Sequence, residues 1–173
     1  MTVVASGDSA KMWIPRGTCI GSNDCEKWGQ PVDYLILANA PHKFKPERLA
    51  IIKRSKAKIL VTSLTQWKPI FPHAEQITRR TTFNKMIMKR FCQTSVTSPL
   101  MCLSIAVRMG ADEIIMWGVD MKSHHTYREG TKAGEREINV YRRYFKECRR
   151  LDINVWLGAN GTVFDNDLPV WKE

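Results

Sequence analysis

TSPLMCLSIAVRMGADEIIMWGVD, running from Thr97 to Asp120, holds a helix, a turn and a strand with a polar loop at each end. Ser98 can cap the helix, Pro99 suits its first position because that amide would be unbonded anyway, and Gly110 suits a left-handed terminus. Leu100, Leu103 and Val107 then share one face. The strand, Glu113–Trp117, is apolar without interruption from Ile114 onward instead of alternating with polar residues. Such a strand is covered on both sides, as in a parallel sheet lying between layers of helix.

The same grammar extends outward. Thr2–Ala5, Thr18–Ile20, Tyr34–Leu37, Lys58–Thr62 and Ile153–Leu157 read as further short strands. Between Glu135 and Leu151, Ile138, Tyr141, Phe145 and Cys148 recur at helical spacing, and Arg136, Arg142, Arg143, Lys146, Arg149 and Arg150 fill the rest of the cylinder. From Leu64 to Gln93 the pattern is irregular: Pro69 and Pro72 break it, and Thr78-Arg79-Arg80-Thr81-Thr82 is polar and basic. That region reads as a lid or an excursion over the sheet. The expected architecture is a three-layer, Rossmann-like α/β domain with a mostly parallel sheet, one nucleotide-binding domain over residues 1–173.

The bulk composition agrees with a globular protein. With 173 residues, 43% hydrophobic and 25% charged, the chain can bury a core without metals or disulfides to staple it. No stretch approaches the ~20 apolar residues of a membrane span, and MTVVASGDSA reads as a first strand and not as a secretory signal. Five scattered cysteines, Cys19, Cys25, Cys92, Cys102 and Cys148, form no C-x-x-C pair and read as buried free thiols. A cytoplasmic location is expected. Lys and Arg outnumber Asp and Glu by 27 to 17, a formal net charge of +10, which suits either a nucleic acid or a small phosphorylated ligand.

Polar residues collect where the strands end. Ser6-Gly7-Asp8-Ser9-Ala10-Lys11 follows the first strand; its glycine lets backbone amides approach a phosphate, and Ser9 can donate to one. Asn23 and Asn39 follow the second and third strands, and an amide side chain offers both the donor and the acceptor that a ribose or base edge needs. Thr97 and Ser98 sit at a helix start, where unbonded amides and the helix dipole favour an anion. After Trp117, Gly118-Val119-Asp120-Met121-Lys122-Ser123-His124-His125-Thr126-Tyr127 puts two histidines, a lysine and a tyrosine in one loop. Each piece alone is equally readable as an ordinary turn or cap.

Taken in order, these residues resemble the family 42 sialyltransferases and their wider kin of small Rossmann-like proteins. The resemblance rests on a loop ending in Ser9, on Asn23, on Asn39 to Pro41, and on Thr97-Ser98. It continues with Ala106, Gly110, Glu113, Ile114, Gly118 and Asp120 in the pattern A-x-x-x-G-x-x-E-I-x-x-x-G-x-D, with His124 and His125 downstream. It covers most of the chain and implies a glycosyltransferase fold of the GT-A-like kind. It also implies that Asn23, Asn39, Thr97 and Ser98 hold a cytidine nucleotide sugar, and that one histidine takes the acceptor's proton. Lys122 stands near the place of one family tyrosine, Tyr127 is a candidate for the other, and the family's first-loop asparagine is absent from Ser6-Gly7-Asp8-Ser9.

The chemistry stands without the family. Transfer from a nucleotide sugar needs a base for the acceptor hydroxyl and positive charge or hydrogen bonds for the departing phosphate. His125 or His124 suits the first task and Lys122, with the helix end at Ser98, the second. Gly7, Asp8, Ser9, Asn23, Asn39, Thr97, Ser98, Gly118, Asp120 and Tyr127 then line the nucleotide. Asp165-Asn166-Asp167 reads as a turn, and neither a metal nor another cofactor is expected. The acceptor is not legible. Two alternatives remain: a Mg²⁺-dependent nucleotide phosphotransferase, as in related pterin pyrophosphokinases, which a chelator would inactivate, and a basic nucleic-acid-binding protein using Arg79, Arg80 and the Arg-rich helix.

Overall fold

The structure, a computed structural model, describes residues 1–77, 97–122 and 129–172. The strands are β1 (Thr2–Val4), β2 (Cys19–Ser22), β3 (Tyr34–Ile36), β4 (Ile59–Val61), β5 (Glu75–Ile77), β6 (Glu113–Trp117) and β7 (Asn154–Leu157). They form one sheet in the order β5-β4-β3-β2-β1-β6-β7. Every pairing between them is parallel. Three α-helices are present among the described residues: α1 (Pro46–Arg54), α2 (Ser98–Arg108) and α3 (Lys132–Arg150).

Period-two alternation explains the unbroken apolar runs. Val3, Ile20, Ile36, Ile114 and Met116 face a layer built from α2 and α3, where Leu100, Leu103, Tyr141 and Phe145 receive them. Their neighbours Val4, Leu35, Leu60, Ile115 and Trp117 face the other way, onto Trp13, Ile52, Trp67 and Phe71. Each strand residue therefore has a core to enter, whichever side it points to. No helix among the described residues is long and apolar enough to cross a membrane.

The stop signal read at Gly110 is a full motif. Gly110 has φ +81°, its amide bonds the carbonyl of Val107, and the Ala111 amide bonds that of Ala106. These two bonds close the helix in the Schellman pattern. The start differs by one residue from expectation: the helix begins at Ser98, and the capping position belongs to Thr97, whose side chain makes no bond to the helix. At α3 the cap is regular, with Thr131 accepting from the Gly134 amide at 3.0 Å. All six basic residues read around α3 are exposed, and Ile138, Tyr141, Phe145 and Cys148 are buried.

Two elements escape the sequence reading. The first is α1, whose short basic stretch offers only Ile52 to the core. The second is β5, three residues long and polar at two of them, at the sheet edge. It replaces part of the irregular excursion read from Leu64 to Gln93. Trp67, fully buried, and Phe71 pin the chain to the sheet just before it. Arg79 and Arg80 lie outside the described residues.

Candidate functional site

From β1 to β5 the chain steps steadily in one direction, and then β6 returns to the far side of β1. That reversal leaves a crevice at the carboxyl ends of β1 and β6, the place where open α/β sheets take ligands. The predicted loops emerge there. The end of α2 leads through Gly110 into β6, so α2 runs antiparallel to the strands and its amino end lies at this same edge, over β1, β2 and β3.

Across the crevice floor, β1 and β6 are clasped together. The Gly7 amide donates to the Gly118 carbonyl at 2.9 Å. A side chain at Gly7 would fall 2.4 Å from that oxygen, and one at Gly118, with φ +72°, would fall 2.5 Å from the Ala5 carbonyl. Both positions thus need glycine for close approach, and Gly118 also needs it for its backbone. Ser9 donates its hydroxyl to Asp120 Oδ1 and its amide to Oδ2, and accepts from the Gly118 amide at 2.9 Å. The Ser9 hydroxyl, read as a phosphate donor, has its single proton spent on a carboxylate. Asp8 is exposed and pairs with Lys11 at 3.8 Å. The first loop therefore acts as a latch for Asp120.

One strand over, Asp24 is 3% exposed and bound by Arg48 of α1, with Nε 3.0 Å from Oδ2. Ser6 donates to its Oδ1 at 2.9 Å. Burial raises the Asp24 carboxyl, but the bonds and charge of Arg48, helped by Ser6, outweigh it and hold the group below the usual carboxylate value. Sequence reading missed this pair. Next to it, Asn23 adopts φ +55°, a left-handed conformation that asparagine tolerates, and its amide nitrogen of the backbone bonds the Ile36 carbonyl. Its side-chain Oδ1 is buried with no hydrogen-bond donor among the described residues. Asn39 is exposed, and its carbonyl is held by Trp67 Nε1 at 2.9 Å.

At the start of α2, Ser98 is 6% exposed. Thr97 turns instead to α3, donating to Glu137 Oε1 at 2.8 Å, with Tyr141 Oη 3.0 Å away. Glu137 occupies the buried stripe of α3, four residues before Tyr141, and a carboxylate at that spacing was a readable signal. None of the described cysteines is a candidate nucleophile: Cys19, Cys25, Cys102 and Cys148 are buried and free, and burial pushes their thiols up, Cys148 to about 12.

Lys122 is exposed at the rim, near Asp165. The segment after β7 reaches this rim as well, the Val163 amide bonding the Asp120 carbonyl at 3.3 Å. Asp165 is a turn residue as expected: its carboxylate accepts from the Gly161 and Thr162 amides and the Thr162 hydroxyl. Slight burial raises the group, but those bonds and the Lys122 charge hold it low. Asp167 pairs with Arg142 at 3.0 Å, and Arg149 donates to its carbonyl. His124, His125 and Tyr127 lie outside the described residues. On the other side of that segment, the Glu129 amide bonds the Met121 carbonyl at 3.2 Å.

No protein-family model and no curated protein sequence matches the chain. Solved structures do. The sialyltransferase CstII from Campylobacter jejuni, in complex with the substrate analogue CMP-3FNeuAc, superimposes with a TM-score of 0.65 at 12% identity, covering 98% of this chain and 84% of that one. The monofunctional α-2,3-sialyltransferase Cst-I from the same organism gives 0.65 at 13%, with coverage of 98% and 79%. CstII in complex with a trisaccharide acceptor and CMP gives 0.64 at 12%, with coverage of 98% and 85%. The chain shares the sialyltransferase fold. These neighbours lend no support to a nucleic-acid partner.

Proposed function

We propose that the chain is a glycosyltransferase that holds a nucleotide-sugar donor in the crevice between β1 and β6 and uses a histidine of the segment after Lys122 as general base. The observation that carries this reading is Asn23. A buried amide oxygen without a donor costs free energy unless something supplies one, and this one lies at the edge where such sheets bind ligands. The hydroxyl or amino hydrogen of a nucleoside meets that need. The fold shared with proteins solved in complex with CMP makes a nucleotide the first ligand to test.

In this reading Asn23 and Asn39 recognise the nucleoside, and Ser98 with the first-turn amides of α2 receives phosphate oxygen. Lys122 supplies charge to the leaving group. His125 or His124 accepts the acceptor's hydroxyl proton as its oxygen bonds the anomeric carbon and the sugar–phosphate bond breaks, its electron pair leaving with the phosphate. Tyr127 serves the same departing group. Gly7, Asp8, Ser9, Gly118 and Asp120 shape the crevice, since the hydrogen bonds of Ser9 and Asp120 are made to each other and to the Gly118 amide.

Calorimetric titration with CMP tests the site. Asn39→Ala and Ser98→Ala should each weaken affinity by ~0.5–3 kcal/mol, the range for a lost hydrogen bond, without unfolding the chain. Unchanged affinity in both variants would remove the site.

A further inference from the structure

β7 is the last strand at its side of the sheet, and its outer edge is covered over only part of its length. In a parallel ladder the N–H and C=O of one residue point to the same neighbour, and those of the next residue point to the other side. The Asn154 and Gly158 amides bond the Asp112 and Met116 carbonyls, both at 2.8 Å, so Val155 and Leu157 face outward. Leu157 is met there by residues 169–171. Its amide bonds the Pro169 carbonyl at 2.9 Å, and its carbonyl accepts from the Trp171 amide at 2.7 Å. The next link toward the amino end of β7 would need an amide hydrogen from residue 169 for the Val155 carbonyl, and residue 169 is proline. The carbonyl that would take the Val155 amide, that of Asp167, accepts from Arg149 at 2.7 Å instead. The Val155 N–H and C=O thus have no partner among the described residues.

Val155 is 7% exposed and lies at the wall of a groove of about 330 Å³, lined also by Phe145 and Arg149 of α3 and by Ile153, Leu168 and Pro169. Unpaired backbone groups among apolar side chains cost free energy, and an extended chain removes that cost. In an antiparallel hydrogen-bonded pair a single residue supplies both the acceptor and the donor. One position further along, the bridge from Leu157 to Val170 shows that this edge takes a strand. Charge sets the character of the flanks. At this end of α3, Arg142 and Arg150 are paired with Asp167 and Glu147, which leaves Arg143, Lys146 and Arg149 in excess over Asp152, the one acid that lines the groove. We infer that the groove is a docking site for an extended acidic segment of another protein, with one aliphatic residue paired to Val155 and carboxylates on either side of it. The site lies toward the amino end of β7, apart from the crevice, and does not depend on the nucleotide reading.

The probe is a blocked pentapeptide, Glu-Glu-Val-Glu-Glu, titrated into the isotope-labelled full chain and followed by NMR. Before any peptide is added, the Val155 amide should exchange about tenfold faster than that of Leu157, which is bonded. The peptide should shift the Val155 amide resonance and slow its exchange. Methylating the amide nitrogen of the peptide's valine removes the donor to the Val155 carbonyl and should weaken binding about tenfold. A Lys-Lys-Val-Lys-Lys peptide should bind weaker still, and Arg149→Gln should weaken the acidic peptide about threefold, as for an exposed ion pair. Because Arg149 also holds the Asp167 carbonyl, the methylated peptide, which leaves the protein untouched, decides the case should that variant not fold. Val155 exchange as slow as that of Leu157, no change at Val155 with the acidic peptide at millimolar concentration, or equal affinity for the methylated or the lysine peptide overturns the inference.

Discussion

Replacing both His124 and His125 with alanine should lower turnover by roughly two to four orders of magnitude while CMP affinity stays near wild type, because a general base acts chiefly in the transition state. The pair follows closely on Lys122, which is exposed at the crevice rim. Of the two single variants His125→Ala is expected to show the larger loss, with Tyr127 two residues on to orient the loop. Lys122→Ala should differ in kind, harming CMP binding and turnover together, since a cation near phosphate acts on the ground state and still more on the leaving group. Steady-state kinetics with donor and acceptor separates these patterns. Full activity in the double histidine variant would sink the mechanism.

Arg48→Met should destabilise the fold by about 2–4 kcal/mol at neutral pH, near the range for stripping the partner from a buried charge. The lower bound reflects the partial exposure of Arg48, 38% against 4% for the side chain of Asp24. The sign with pH follows from the direction of the shift. In the wild type Asp24 is held below its unfolded value, so its stabilising contribution is present above that value and is lost as pH falls through the folded one. Without Arg48, burial raises the folded value above the unfolded one, and the penalty at neutral pH is relieved on acidification. Urea unfolding at neutral and mildly acidic pH should therefore show the gap between the two proteins shrinking as pH drops. A constant gap would mean that Arg48 stabilises by packing on Phe44, whose ring lies 5.6 Å away, and not through Asp24.

Local signals carried the architecture; long-range pairs did not. The continuous apolar run at Ile114–Trp117 and the Pro99 and Gly110 punctuation of α2 are readable because strand burial and helix termination are decided by neighbouring residues. By the same standard α1 and β5 are weak: one buries a single residue, and the other is a three-residue edge strand. The site was legible as a set of loops, since a parallel sheet delivers them all to one edge. What each residue does there was not. Ser9 and Asp120 lie 111 positions apart, Thr97 and Glu137 lie 40 apart, and only the strand order brings them together. Hydroxyls that looked like ligand donors at Ser9 and Thr97 turn out to be committed to carboxylates. The loop after β7, distant in sequence from the others, joins the rim through Val163 and Asp165.

A thermal-shift titration with cytidine nucleotides and nucleotide sugars, run on the wild type and on Asn23→Gly, tests the central claim most directly. Glycine removes the amide side chain and keeps the left-handed backbone free of strain. A ligand that binds only the folded state adds ~2.7 kcal/mol at a hundred times its Kd, and for a chain of this size that raises Tm by roughly 5–10 °C. The account predicts such a rise for CMP or a CMP-sugar in the wild type and a much smaller one in Asn23→Gly at the same ligand concentration. No rise with any nucleotide, or an equal rise in both proteins, would contradict a nucleotide site built around Asn23.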